Sequence, residues 1–103
     1  LYFNKIKYYI GELKMKAVVT VIGKDNVGII ASVSAECSKH GANIVDITQS
    51  VLREYFAMIM LVEIENMTAS LLDFQKSMEI LGKEKGLDIR VMHEDIFNSM
   101  HRI

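Results

Sequence analysis

Residues 16–28, KAVVTVIGKDNVG, contain an apolar run that ends at a glycine, followed by a short polar loop, and the rest of the fold can be built from this segment. Residues 16–23 are mostly β-branched and apolar and close at Gly23, which predicts a strand. Residues 28–40 then carry apolar side chains at helical spacing, and Gly41 is suited to end that helix in a left-handed conformation. The chain thus begins its fold with strand, loop and helix.

Two further strands follow this first helix. Residues 43–52 mix apolar and polar side chains, as expected of a half-exposed edge strand, and residues 53–55 form a bend. Residues 56–64 are apolar at almost every position, which favours a buried central strand. The two segments are close enough in sequence to pair as a hairpin.

The rest of the chain predicts a second helix, a fourth strand and a short final helix. The second helix is capped by Thr68 or Ser70, ends at Gly86, and has an apolar stripe formed by Leu71, Phe74, Met78 and Leu81. Residues 87–91 alternate between apolar and charged side chains, which predicts a strand with one wet face. Residues 95–101 form the final helix, and we expect its apolar side chains to pack back, namely Ile96, Phe97 and Met100.

The order strand, helix, strand, strand, helix, strand predicts an α+β, ferredoxin-like βαββαβ sandwich. It has a four-stranded antiparallel sheet with two helices on one face, and a short C-terminal helix. In this topology the first and third strands are central, and these are the two apolar ones. We expect the core to be filled partly by Met58, Met60, Met78 and Met92.

The face of the sheet that the two helices leave open is predicted to be apolar. It would hold about four side chains of the central pair, such as Val18, Ile22, Ile59 and Leu61. Their burial is worth on the order of 6–12 kcal/mol, similar to the ~4–15 kcal/mol that association costs, so edge-strand hydrogen bonds would have to contribute. We therefore expect a homodimer, or another protein partner, on this face. The alternative is that residues 1–14 or the final helix fold across it.

Composition narrows the class of protein. Lys and Arg number 12 against 13 Asp and Glu, a formal charge of −1, which gives no electrostatic reason to expect nucleic acid or an anionic membrane as a partner. No apolar run reaches the roughly 18–20 residues of a membrane span. The single cysteine, Cys37, cannot form an internal disulfide, which favours a cytoplasmic location.

Residues 1–14 differ from the rest, with aromatic and basic side chains interleaved without a period. They lack the uninterrupted apolar stretch of a secretory signal. Gly11 and Glu12 can be encoded by a purine-rich stretch that resembles a bacterial ribosome-binding site, so we expect a native start at Met15. On this interpretation residues 1–14 are a non-native extension and the domain comprises residues 15–103.

The loop at residues 23–28 is the feature that points to chemistry. It joins a central strand to a helix N-terminus, where unpaired backbone N–H groups and the helix dipole attract an anion such as a carboxylate. Gly28 lets a ligand approach the backbone closely, and Asn26 could cap the helix or hydrogen-bond a ligand. An ordinary capped turn has the same features, so the loop alone does not decide between the two.

Taken together, these residues resemble the ACT domain, a regulatory module that binds amino acids. The resemblance covers residues 15–103 and rests on the glycine-rich loop and on residues 41–44, GANI. Single-domain bacterial and archaeal members, and the module of the glycine-cleavage regulator, are similar to it. The resemblance implies a ligand site between the loop and the start of the second strand, often at a dimer interface, formed by Asp25, Asn26, Val27, Gly28, Asn43 and Ile44.

Other uses of the same fold suit these residues less well. RNA-recognition domains stack bases on aromatic side chains of the central strands, and here only Phe56 is available. His93, Glu94 and Asp95 are metal-ligand types, but neighbours along a strand face opposite ways, so we expect no metal site. Cys37 lies on the apolar helix face and is expected to be a buried, unreactive thiol.

The sequence therefore predicts a small cytoplasmic regulatory protein, not an enzyme, that binds an amino acid or similar carboxylate metabolite without a cofactor. The ligand would stabilise one dimer arrangement, and a second protein would respond to the difference. One rival interpretation is an accessory subunit or a small hydrolase that uses Asp25, Asn26 and His93. Another is an interaction module without a ligand.

Overall fold

The computed structural model describes residues 15–101, and its elements follow the predicted order. The strands are β1 (Lys16–Lys24), β2 (Asn43–Leu52), β3 (Tyr55–Glu63) and β4 (Leu87–His93). The helices are α1 (Ile29–His40), α2 (Leu71–Lys85) and α3 (Glu94–Met100). The predicted non-native extension, residues 1–14, lies outside the described residues.

The four strands form one antiparallel sheet in the order β2-β3-β1-β4. The predicted ferredoxin-like architecture is therefore confirmed, with the two apolar strands β1 and β3 at its centre. The boundaries agree with the prediction to within two residues, and Tyr55 begins β3 rather than belonging to the bend. Between residues 15 and 101, no helix is long and apolar enough to cross a membrane.

The core lies between one face of this sheet and the helices α1 and α2. Its largest fully buried side chains include Phe74, Met58, Met60 and Met78, so three of the four methionines lie in the core as predicted. The prediction for Met92 is wrong. Met92 pairs with Val18 on the opposite face of the sheet, because alternate residues of a strand point to opposite sides.

Polar side chains fix the ends and the mutual position of the two core helices. Ser70 caps α2 by accepting a hydrogen bond from the Asp73 N–H at 3.1 Å, which decides between the two predicted caps. The Ser77 hydroxyl of α2 donates to the Glu36 carboxylate of α1. His40 Nδ1 donates to the Glu36 carbonyl oxygen at 3.0 Å, within the last turn of α1. The helices are thus joined by a polar bridge as well as by the core.

The second face of the sheet is apolar, and it is only half covered. The strand register places the four predicted side chains on it, among which Ile22 is 57% and Ile59 is 47% exposed, whereas Val18 is buried. Helix α3 contacts β1 and β4 but neither of the other helices in the described chain, so it lies on this face at the Val18 end. The alternative that the final helix folds across the face is therefore right for one end of it.

The predicted packing of α3 is wrong for two of its three apolar side chains. Phe97 is half-buried, but Ile96 is 55% and Met100 is 64% exposed. A seven-residue helix turns one narrow stripe toward the sheet, and Ile96 and Met100, four residues apart, share a different side of it. They form an exposed apolar stripe along α3.

The two edges of the sheet differ. At the β4 edge, Gln75 of α2 donates its Nε2 hydrogen to the Val91 carbonyl oxygen at 2.9 Å. Gly82 brings the α2 backbone so close to β4 that a Cβ there would lie 2.6 Å from the Leu87 carbonyl oxygen. Helix α2 therefore covers this edge. The β2 edge has no such cover within the described residues, since nearly every residue of β2 is exposed.

Replacing Gly82 by alanine tests this close approach. Alanine is normally favoured over glycine in a helix by about 1 kcal/mol. At Gly82 we expect the opposite, a loss of about 1–3 kcal/mol of unfolding free energy, because the added methyl meets the β4 backbone. Urea denaturation measures it, with the exposed Glu84→Ala on the same helix as a control expected to change stability little. A Gly82→Ala protein as stable as the wild type would contradict the account.

Candidate functional site

A cleft of about 270 Å³ lies between the first turn of α1 and the second half of β2, at the end of the sheet where β1 terminates. Its volume is just below the ~300–1,000 Å³ typical of small-molecule sites, which suits a small metabolite. Phe56 and Ile29 are buried in its walls, whereas most of the other lining residues are exposed. The cleft is lined by Asp25, Asn26, Gly28, Ile29, Ile30, Ala31, Gln49, Val51 and Phe56.

The first turn of α1 presents unpaired hydrogen-bond donors to this cleft. Gly28 is the N-cap residue, with a positive φ of 89°, and no side chain caps the helix. The first backbone bond of the helix runs from the Ser32 N–H to the Gly28 carbonyl oxygen at 2.9 Å, so the N–H groups of residues 29–31 have no acceptor among the described residues. Such a turn can bind an anion.

Asn26 does not cap the helix, although the sequence allowed it to. Its side-chain amide instead lies 3.5 Å from the Lys24 carbonyl oxygen, within its own loop. The neighbouring Asp25 is held by its backbone, whose N–H donates to the Glu54 carbonyl oxygen of the β2–β3 turn at 2.7 Å. The exposed Asp25 carboxylate therefore sits at the rim of the cleft, on a loop tied down at its base.

The six residues predicted to form one site fall into two groups in a single chain. Asp25, Asn26 and Gly28 line the cleft, while Val27 beside them is fully exposed and not part of its lining. Asn43 and Ile44 begin β2 and pair with Glu63 and Val62, at the opposite end of the sheet. The length of β2 separates the two groups by about 30 Å. One chain alone does not bring them together.

Two residues of β2 that line the cleft, Gln49 and Val51, are not among the predicted site residues. The signal was present in the predicted topology. β2 and β3 form a hairpin, and β3 is antiparallel to β1, so the end of β2, not its start, must lie beside the end of β1. The predicted topology therefore places the last residues of β2, Gln49 and Val51 among them, beside the loop that follows β1.

The groups considered for catalysis are placed apart. His93 pairs with Ala17 at the far end of β1 from Asp25, and its Nδ1 accepts a hydrogen bond from the Asp95 N–H at 3.1 Å, which caps α3. The hydrolase site of Asp25, Asn26 and His93 is therefore not formed within one chain. No cluster of three or more His, Cys, Asp or Glu side chains among residues 15–101 is placed to hold a metal ion.

A larger groove, of about 630 Å³, lies between α2 and β4. Charged side chains of both signs line it, with Lys76, Lys83 and Arg90 beside Glu79 and Asp88. Arg90 Nε is already 3.2 Å from the Asp88 carboxylate. The first turn of α2, at one end of this groove, is capped by Ser70, whereas the first turn of α1 has no side-chain cap, so the smaller cleft is the better candidate for a carboxylate ligand.

Cys37 is fully buried in the core face of α1. Burial raises the pKa of Cys37 to about 11, because it removes the thiolate from water, and the nearby Glu36 carboxylate adds repulsion. A thiol that keeps its proton in this way is a poor nucleophile at neutral pH.

The raised pKa of Cys37 makes stability depend on pH in a defined window. The unfolded chain loses the thiol proton near its ordinary pKa of 9.0, while the folded chain keeps it up to about 11. The stabilisation is therefore complete below about pH 9 and is lost as the pH rises, by up to about 2–3 kcal/mol. Urea unfolding at pH 8 and 10.5 should show a steeper loss for the wild type than for Cys37→Ala. Parallel losses in the two proteins would contradict this.

Comparison with known proteins places this architecture in context. The family model of the ACT domain matches residues 16–92. A UPF0237 protein from Methanopyrus kandleri is 46% identical over 88 residues, which cover 85% of this chain and 98% of that protein. The solved structure of an ACT domain protein from Streptococcus pneumoniae is 37% identical with a TM-score of 0.71, covering 81% of this chain and 93% of that one. The regulatory subunit of aspartate kinase from Thermus thermophilus, at 21% identity, shares the fold with a TM-score of 0.60 over 77% of this chain and 51% of its own.

Proposed function

This chain belongs to the ACT domain family, and from that premise we propose that it is a cytoplasmic regulatory protein, not an enzyme, which senses an amino acid or similar carboxylate metabolite. ACT domains are typically regulatory and ligand-binding. The observation that carries the proposal is the set of unpaired N–H groups at residues 29–31, which face a cleft of metabolite size beside the Asp25 carboxylate.

The cleft matches the three parts of an α-amino acid. The ligand's carboxylate accepts hydrogen bonds from the first-turn N–H groups of α1, where the helix dipole also favours a negative charge. Its ammonium group pairs with the Asp25 carboxylate at the rim. Its side chain packs against the apolar wall formed by Ile30, Val51 and Phe56. A simple anion would gain only the first of these interactions, and Asp25 would repel it.

A second copy of the chain completes the site. The β2 edge is open along its length, whereas α2 packs against the β4 edge at Gly82 and Gln75 occupies the Val91 carbonyl oxygen, so β2 is the edge better placed to extend the sheet into a second chain. Antiparallel pairing of two β2 strands about a two-fold axis sets the start of one strand beside the end of the other. In the register that pairs the whole strand, Asn43 and Ile44 of the second copy lie next to Leu52 and Val51. The two groups of predicted site residues then meet across the interface.

A ligand bound between the two chains stabilises the arrangement that forms its site. The ligand binds the dimer better than the separate chains, so it shifts the equilibrium between them toward the dimer. The size of the shift is set by the difference between the two affinities. The regulatory output is then the population of this dimer, which another protein recognises. The structure of the cleft does not select one amino acid, so the ligand is to be found by a screen.

A thermal-shift screen against the common amino acids tests the function. An amino acid at 100 times its Kd should stabilise the protein by about 2.7 kcal/mol, because it binds only the folded state. We expect one amino acid, or a few of related chemistry, to raise the melting temperature. Equal shifts from chemically unrelated compounds, or no shift from any amino acid, would contradict the proposal.

Filling the cleft should abolish that shift. Ala31 lines the cleft and is exposed on α1, so Ala31→Leu occupies the ligand's space at little cost to the helix. Ala35→Leu is the matched control, one turn further along the same helix, exposed and outside the lining. Gly28 is a poorer choice, because any side chain is strained at its φ of 89°. Retention of the full shift by Ala31→Leu would place the ligand elsewhere.

The role of the second copy is tested by a charge at the β2 edge. Ile47→Lys places two positive charges near the proposed two-fold axis, and we expect it to abolish β2 pairing and to weaken amino-acid binding at least tenfold. Isothermal titration calorimetry measures the affinity, and Ile80→Lys on the exposed side of α2 is the control. Undiminished binding by Ile47→Lys would mean that one chain suffices for the site.

A further inference from the structure

The two ends of the open face of the sheet differ in how much of their apolar surface is covered. At one end, α3 covers Val18 and part of Met92. At the other end a contiguous apolar patch is bare, consisting of Ile22, Leu52, Tyr55, Ala57 and Ile59. We call this set the bare half. Nothing in the described chain lies over it.

Helix α3 has an apolar surface of its own that stays largely exposed in the described chain. Ile96 and Met100 lie one turn apart and are both more than half exposed, although α3 sits on the same face as the bare half. A single chain thus presents two unmatched apolar surfaces, the outer stripe of α3 and the bare half. They lie at opposite ends of the β strands, on the same side of the molecule.

We propose that a second copy of this chain covers the open face, with the Ile96–Met100 stripe of each copy packed on the bare half of the other. A two-fold axis in the plane of the interface, perpendicular to the strands, places the α3 end of one chain over the bare end of its mate. The contact is then made twice, and one surface is complementary to itself, as symmetric dimers require. This interface is separate from the β2 pairing of the proposed ligand site.

The size and charge of the surface suit a second copy. Six large apolar side chains of the bare half and of α3 are 47–70% exposed, which suits the apolar centre of a standard interface of ~800 Å² per partner. At the border of the face, Arg90 Nε lies 3.2 Å from Asp88 Oδ1, so these two charges neutralise each other. The face also carries Lys24, paired with Tyr55, and Asp46, paired with Leu61, so its charges are of both signs.

The two interfaces have different symmetry axes. The axis of the β2 pairing is perpendicular to the sheet, and the axis proposed here lies in the sheet plane. Two perpendicular two-fold axes that intersect generate a closed assembly of four chains, and the proposal requires that these two intersect. Removing either one leaves a pair of chains, which allows each interface to be tested while the other persists.

Sedimentation equilibrium of the full chain and of single variants tests the proposal. We expect four chains for the wild type and for the control Ile80→Glu, whose side chain is 59% exposed on α2. Ile59→Glu and Ile96→Glu should each give two chains, held through β2. Ile47→Lys should also give two chains, held through the open face, and the double variant Ile47→Lys/Ile96→Glu should give one.

Disulfide cross-linking identifies the surfaces in contact. The native Cys37 is buried, so only introduced thiols react. Chains with Ile22→Cys and chains with Ile96→Cys, mixed and mildly oxidised, should form a covalent pair, whereas Ile80→Cys mixed with Ile96→Cys should not.

Three outcomes would overturn the proposal. The first is a single chain for Ile47→Lys, which would leave β2 pairing as the whole assembly and the proposed function intact. The second is an unchanged mass for both Ile59→Glu and Ile96→Glu. The third is a full chain that forms no contact through this face in sedimentation, while a chain that lacks residues 1–14 does. That result would identify residues 1–14 as the occupant of the face.

Discussion

Two helices can cover only one face of a four-stranded sheet, and here the two central strands are apolar on both faces. This constraint determines what the rest of the molecule must do. One face becomes the core with α1 and α2, and burying it accounts for the confirmed positions of Met58, Met60 and Met78. The other face receives only α3, a seven-residue helix that covers one end. The protein is thus left with apolar surface that its described residues do not bury.

The sheet edges impose a second constraint, since an unpaired strand edge is a template for another chain. Helix α2 packs against the β4 edge at Gly82 and occupies its Val91 carbonyl oxygen through Gln75, while β2 is open along its length. The cleft lies where the open edge meets the first turn of α1. A ligand there is therefore within reach of whatever pairs with β2. In the proposed function, this proximity couples ligand binding to association, and no long-range conformational change is needed.

The fold could be predicted from the sequence because its signals are local. Periodicity located each element, Gly41 and Gly86 marked the ends of the two long helices, and the apolar character of β1 and β3 identified the central strands. The site residues stay a prediction. Asp25, Asn26 and Gly28 line one cleft because the loop follows β1 directly, whereas Asn43 and Ile44 begin β2 at the other end of the sheet and reach the cleft only across the proposed interface.

The predictions that the structure contradicts, for Met92 and for two side chains of α3, share one physical origin. Each depends on which way a residue faces once the elements are packed. Met92 is apolar, which predicts a place in the core, but it pairs with Val18 and therefore faces the open side of the sheet. Ile96, Phe97 and Met100 are all apolar, which predicts that all three pack against the sheet. In this short helix only Phe97 is partly buried, and Ile96 and Met100 stay exposed. Composition identifies apolar residues, but it does not determine which of them remain unburied in one chain.

Amide hydrogen exchange along β2 and the first turn of α1 tests whether ligand binding is coupled to the pairing of two β2 strands, because it reports on both the β2 edge and the ligand site. We expect that β2 amides not bonded to β3 become protected as protein concentration rises, and that residues 29–31 become protected when the amino acid binds. Protection at both places should increase together at subsaturating ligand. Free exchange of the β2 edge at all concentrations, with or without ligand, would contradict the account.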